Sequence, residues 1–145
     1  LPRRVLHFQK HHEAAALWNR LPTEFGLEEY RLVSIDRTHT ATLPQEDAET
    51  VMHILDELQW SNSILIAHGT DCRLACDLAA LAPAHISALF LVDAPDDVQP
   101  IDNLTTTCLQ VTTSAGERPD PFVLEDIALL PEVFHAFCTL KLSDW

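Results

Sequence analysis

Glycine is scarce in this chain, with three residues in 145, where roughly 7% is usual. Loops that wrap phosphates or oxyanions generally need glycine where the backbone must approach a ligand closely. No G-x-G-x-x-G follows the first strand-like segment, and no G-x-x-x-x-G-K occurs. A dinucleotide fingerprint and a P-loop are therefore both missing. Basic residues are also few: nine Lys and Arg stand against 22 Asp and Glu, for a formal net charge of −13. Such a field argues against unaided binding to nucleic acid or to an anionic membrane, and leaves room for a basic partner. No apolar run approaches the ~18 residues that would span a bilayer. Even a run such as Ala88-Leu89-Phe90-Leu91-Val92 is only strand-sized. The four cysteines, Cys72, Cys76, Cys108 and Cys138, show no C-x-x-C spacing. Buried free thiols in a reducing cytoplasm are the simplest expectation. The first residue is Leu1 and not Met, so targeting is left undetermined.

What is present is an alternation of strand and helix. Arg4-Val5-Leu6-His7-Phe8 reads as a strand, followed by helical spacing at Ala14, Leu17, Trp18 and Leu21. Tyr30 to Ile35 is a second strand, ending at Asp36. Pro44 opens a helix with Glu46, Asp47 and Glu49 near its first turn, where negative charge complements the helix dipole. Ser63-Ile64-Leu65-Ile66-Ala67 is apolar on both faces, as a parallel strand covered by helices on both sides must be. The next helix carries Leu74, Leu78 and Leu81 in one stripe and ends before Pro83. Ser87 to Val92 and Thr106 to Val111 read as the fourth and fifth strands. Pro121 to Leu130 is predicted helical, and Phe137 to Leu142 as a sixth strand. Strands separated by helices of this length imply βαβ units, a parallel sheet and one domain over residues 1–145. The expected architecture is a three-layer α/β/α sandwich of about six mostly parallel strands.

Ile64-Leu65-Ile66-Ala67-His68-Gly69-Thr70-Asp71-Cys72 lies where an apolar strand runs into a helix. It resembles the nucleophile elbow of the α/β-hydrolases, in which a strand enters G-H-S-x-G and then a helix. The helix that stops at Pro83 and the strand running into Val92-Asp93-Ala94-Pro95 are similar to that family's rhythm, closest to the compact, lid-less serine hydrolases related to the retinoblastoma-binding hydrolase. The resemblance covers roughly residues 4–125. It implies a spatial strand order of 2-1-3-4-5-6 and a crevice at the C-terminal ends of the first and third strands. By position, Ala67 matches the elbow's first small residue, His68 the variable one, Gly69 the nucleophile and Asp71 the second small residue. A degenerate elbow of this kind implies lost serine-hydrolase chemistry.

The other members of a triad are correspondingly thin. Asp120, in Pro119-Asp120-Pro121-Phe122, stands where the resemblance puts the acid, with Glu117 as its rival; an Asp before Pro also starts turns without any chemistry. The base would be a histidine after the last strand, and none follows His135. Cys72, in a first helical turn, could have its thiol activated by the helix dipole or could simply be buried. His7, His11, His12, His39 and His68 fall at predicted strand ends near Asp36, but their spacing matches no metal motif. Trp18, Trp60 and Trp145 read as packing anchors.

No metal or cofactor is expected. The ligand-binding candidates are Gln9, His11, His68, Gly69 and Thr70. The function expected is that of a non-catalytic binding or interaction domain, for a protein partner or a small ligand. An esterase with an atypical nucleophile and a subunit of a homo-oligomer or larger assembly are the alternatives.

Overall fold

A computed structural model of the chain describes residues 3–9, 16–36, 44–95, 98, 106–113, 123–124 and 126–141. Its strands are β1 (Arg3–Gln9), β2 (Tyr30–Asp36), β3 (Ser63–His68), β4 (Ile86–Val92), β5 (Thr107–Thr113) and the two-residue β6 (Val123–Leu124). Its helices are α1 (Arg20–Glu24), α2 (Pro44–Leu58), α3 (Asp71–Leu81) and α4 (Leu130–Lys141). Residues 16–18 are helical as well, and a 3-10 turn at Ile127–Leu129 leads into α4. Every strand pair is parallel, and the spatial order is 2-1-3-4-5-6.

The period of two along the central strands sorts their side chains onto two cores. Leu6, Phe8, Leu65, Ala67, Leu89 and Leu91 face one way. They pack under Val51 and Leu55 of α2 and under Cys72, Ala75, Cys76 and Leu78 of α3. Val5, Ile64, Ile66, Ala88, Phe90 and Val92 face the other way, against Trp18, Leu21 of α1, and Leu130, Phe134, Phe137 and Cys138 of α4. The chain is thus a three-layer α/β/α sandwich. The second core is aromatic: Trp18, Phe90 and Phe134 meet edge-to-face in pairs at ring-centre distances of 5.2–5.6 Å. Each such large side chain contributes roughly 1.5–3 kcal/mol by leaving water.

Two expectations near the C-terminus are corrected. Of the expected strand Phe137–Leu142, residues 137–141 belong to α4, and Leu142 lies outside the described residues. Phe137-Cys138-Thr139-Leu140 is rich in strand formers. However, Leu130, Phe134, Phe137 and Cys138 recur at helical intervals, and all are buried on one face while Leu140 is exposed. Pro131 fits the first turn of α4, where its missing N–H costs nothing. In place of the helix predicted over 121–130, the described residues form β6 and the 3-10 turn, where the Ala128 N–H donates to the Asp126 carboxylate (3.0 Å to Oδ1). The sixth strand therefore exists, in a different segment from the one expected. Elsewhere the strands and helices of residues 4–92 fall where the sequence put them, including the start of α2 at Pro44 and the end of α3 at Leu81. Among the described residues, no helix is long and apolar enough to cross a membrane.

Candidate functional site

Parallel strands bring their C-terminal ends to one edge. There β3 ends at His68, the backbone turns through Gly69, and α3 begins at Asp71 with Thr70 as its N-cap. The turn is held by main-chain bonds: Gly69 N–H donates to Val92 O at 2.8 Å, and Cys72 N–H donates to Gly69 O at 3.1 Å. Gly69 sits at φ 57°, in the left-handed region where a side chain is strained. Among the described residues nothing lies within 4 Å of where a Cβ would stand, so they leave open the space that a side chain would project into. Thr70, by contrast, has ordinary helical angles (φ −65°, ψ −22°).

Gln9 ends β1, and the β1–β3 register, which pairs His7 with Ile66, runs on to set Gln9 level with His68. The backbone thus brings Gln9, His68, Gly69 and Thr70 to one crevice edge. His11 and Asp120, together with His12, His39, Glu117 and Trp145, lie outside the described residues. His135 is not at this edge. It lies within α4, bonded to the Tyr30 hydroxyl (2.7 Å) and stacked on Phe25. Tyr30 starts β2, so His135 stands at the N-terminal edge, roughly a strand's length (~20 Å) from the bend.

Of the clustered histidines, two do meet. His7 and His68 project from the same side of adjacent strands, with ring centres 5.6 Å apart, and Trp18 packs on both at 6.0 Å. The Trp18 indole Nε1–H donates to His68 Nε2 at 2.8 Å. His7 is fully buried. Its Nδ1 lies 3.5 Å from the Ser34 hydroxyl, and its Nε2 has no hydrogen-bond partner among the described residues. Burial, helped by the neighbouring His68, pushes the His7 pKa down to about 3, so this imidazole is neutral at physiological pH. No group of three or more metal-ligating side chains occurs among the described residues.

Cys72 is buried, not activated. Its Sγ reaches the carbonyls of Ala67 (3.6 Å) and Val92 (3.8 Å). Burial foremost pushes its thiol up to about 12, so the loss of solvent outweighs whatever the helix dipole supplies. Cys76 and Cys138 are likewise buried, Cys108 is exposed, and all four are free thiols.

Asp93 is a member of this edge to which sequence reasoning gave no role. It follows β4 at φ 53°, and its carboxylate accepts from the Thr113 N–H and hydroxyl at the end of β5. The available signal was an acidic residue at the end of an apolar strand, because Asp tolerates left-handed backbone better than most residues.

No protein-family model and no curated protein sequence matches the chain. Solved structures do. Cfl2 from Burkholderia cenocepacia is similar with a TM-score of 0.53 at 22% identity, over 70% of this chain and 39% of that one. The thioesterase domain of the curacin biosynthetic pathway gives 0.53 at 18% identity over 70% and 40%, and the epoxide hydrolase VrEH1 from Vigna radiata 0.51 at 19% over 70% and 38%. The chain has the α/β-hydrolase fold. It spans about two-fifths of the length of these α/β-hydrolase neighbours. The identities are too low to carry an activity across.

Proposed function

We propose that this α/β-hydrolase-like chain is a binding or interaction domain that has lost serine-hydrolase chemistry. Gly69 carries the reading. It occupies the left-handed position after β3 at which the fold's nucleophile is held, and it presents no side chain into open space. A nucleophile kept in that conformation costs about 1–3 kcal/mol of strain, and glycine removes the cost together with the chemistry. The neighbours offer no replacement. Cys72 is a buried, protonated thiol on backbone carbonyls, and Thr70 has relaxed helical angles. His68 has its Nε2 occupied by the Trp18 indole.

The crevice formed by Gln9, His68, Gly69 and Thr70 is then a ligand or partner site, with His11 as a further candidate beside it and Asp120 as a vestigial acid. Residues 93–106 alone join β4 to β5. So short a connection supports kinship with the compact, lid-less hydrolases. The free thiols fit a reducing cytoplasm.

Turnover of short p-nitrophenyl esters tests the loss. The chain is expected to hydrolyse them no faster than buffer. Turnover that disappears in Cys72→Ala or Thr70→Ala would overturn the reading.

A second reading, a subunit of an assembly, draws on the exposure of Thr107 and Cys108 at the start of β5. Light scattering distinguishes a monodisperse monomer, which counts against it, from a stable oligomer.

A further inference from the structure

We propose that Trp18 and Tyr30 form a one-electron redox relay, in which an oxidising equivalent received by Trp18 beside the end of β3 passes through the aromatic core to Tyr30 at the opposite edge of the sheet. Indole and phenol are the two ring types of this core that give up an electron readily, and each stands against an imidazole. The Trp18 Nε1–H donates to His68 Nε2 at 2.8 Å. The Tyr30 hydroxyl lies 2.7 Å from His135 Nδ1. Loss of an electron turns either group into a strong acid, so each radical forms with an acceptor for its proton already in place. Phe134 lies between the two rings, its centre 5.6 Å from that of Trp18 and 5.8 Å from that of Tyr30. All three side chains are fully buried. An electron tunnels readily across two such contacts in a close-packed interior.

A dissolved one-electron oxidant, such as a peroxyl radical, takes an electron from Trp18 and is itself reduced. The indole proton moves along its hydrogen bond to His68 Nε2, leaving a neutral indolyl radical. Tyr30 then gives one electron to that radical, and the proton returns from His68 to the indole nitrogen. With the proton of the neutral His135 ring on Nε2, Nδ1 is bare and the phenol is the donor. The phenol proton therefore goes to His135 Nδ1, and the end state is a tyrosyl radical beside an imidazolium. The transfer runs downhill, because near neutral pH a phenol that releases its electron and proton together is easier to oxidise than an indole.

His135 is held for this part. It stacks on Phe25 with ring centres 4.3 Å apart and planes inclined by 17°, which fixes its Nδ1 beside the phenol. Burial foremost raises the Tyr30 pKa, so no phenolate is present near neutral pH and the electron leaves only with the proton. The Cys138 thiol, also near Tyr30, is the rival terminus. Burial foremost pushes that thiol up to about 12, so it too keeps its proton. The imidazole that takes a proton is bonded to the phenol and not to the sulfur, which favours Tyr30 as the end of the relay.

Laser flash photolysis of the chain carrying Trp60→Phe and Trp145→Phe, in which Trp18 is the one indole left, tests the relay. Excitation at the red edge of the indole band, where the phenol does not absorb, ejects an electron that dissolved hexaammineruthenium(III) takes up. Tyr30 is the single tyrosine of the chain, so a tyrosyl signal needs no assignment. The expected result is an indolyl absorption that decays as the tyrosyl absorption grows, at a rate independent of protein concentration and slower in deuterium oxide. In Tyr30→Phe the indolyl radical is expected to live several-fold longer. In His135→Phe, which keeps a ring on Phe25, the tyrosyl yield is expected to fall several-fold and the solvent isotope effect to vanish. An indolyl radical that decays with no tyrosyl formed would overturn the proposal. So would a rate proportional to protein concentration or unchanged in deuterium oxide, a spin-trap adduct at Cys138 in place of the tyrosyl signal, or an undiminished yield in His135→Phe. If circular dichroism shows that the doubly substituted chain does not fold, Trp18→Phe decides: the tyrosyl signal of the unaltered chain is expected to be lost there, and its persistence would overturn the relay.

Discussion

Gly69 follows β3 at φ 57° and Asp93 follows β4 at φ 53°, on neighbouring strands of one sheet edge. The backbone does nearly the same thing twice. At Asp93 a side chain is present, and two hydrogen bonds from Thr113 to its carboxylate offset the strain. At Gly69 there is neither strain nor a side chain to be compensated, and the bend is kept by main-chain bonds alone. A left-handed strand end therefore persists here in two ways, by side-chain bonds or by glycine. Only the first leaves a functional group at the turn, and at Asp93 that group is already committed to holding β5.

Breaking the Asp93 side of the contrast should have the largest effect. Asp93→Ala keeps a Cβ in the left-handed region and removes both carboxylate oxygens to which Thr113 donates. The expected loss is about 3 kcal/mol in urea unfolding. Asp93→Gly should recover about 1 kcal/mol of that loss, because it loses the bonds but not the conformational freedom. Equal losses for the two variants would mean that backbone strain plays no part.

A third strand end, that of β1, sharpens the comparison through pH. His7 binds a proton in the unfolded chain near pH 6.5 but in the folded chain only near 3. Between those values the unfolded state holds more protons, so stability is retained above pH 6.5 and lost as pH falls. The expected loss between pH 7 and pH 5 is roughly 2 kcal/mol, read from urea midpoints. His7→Phe should remove that part of the slope; an unchanged slope would place its origin elsewhere.

Gly69→Ala should have the smallest effect. With nothing among the described residues within 4 Å of the added Cβ, the cost is the left-handed strain, about 1 kcal/mol. A loss of 3 kcal/mol or more would mean that the bend is tighter than the open space implies.

The same residues explain what the sequence revealed and what it did not. Ser63 to Ala67 was legible as a central strand because it is apolar on both faces, a pattern that only a sheet covered on both sides requires. The bend after it was legible because strand, small residues and helix follow without interruption. Phe137 to Leu140 was misread because a short run of strand formers has no period of its own; its helical stripe appears only with Leu130 and Phe134 and with the Phe90 and Trp18 rings they meet. The histidines were seen to gather, and two of them do. Trp18 was recognised as a packing anchor, but its bond to His68 joins residues 50 positions apart and depends on a register that local sequence does not encode. Asp93 was missed for a similar reason: its partner Thr113 lies on the next strand.

The most direct test of a bend without a nucleophile is intact-mass spectrometry of the unaltered chain after prolonged exposure to a fluorophosphonate. The mass is expected to stay that of the free chain. A single adduct, mapped by peptide analysis to Thr70, Cys72 or any other residue of this sheet edge, would contradict it.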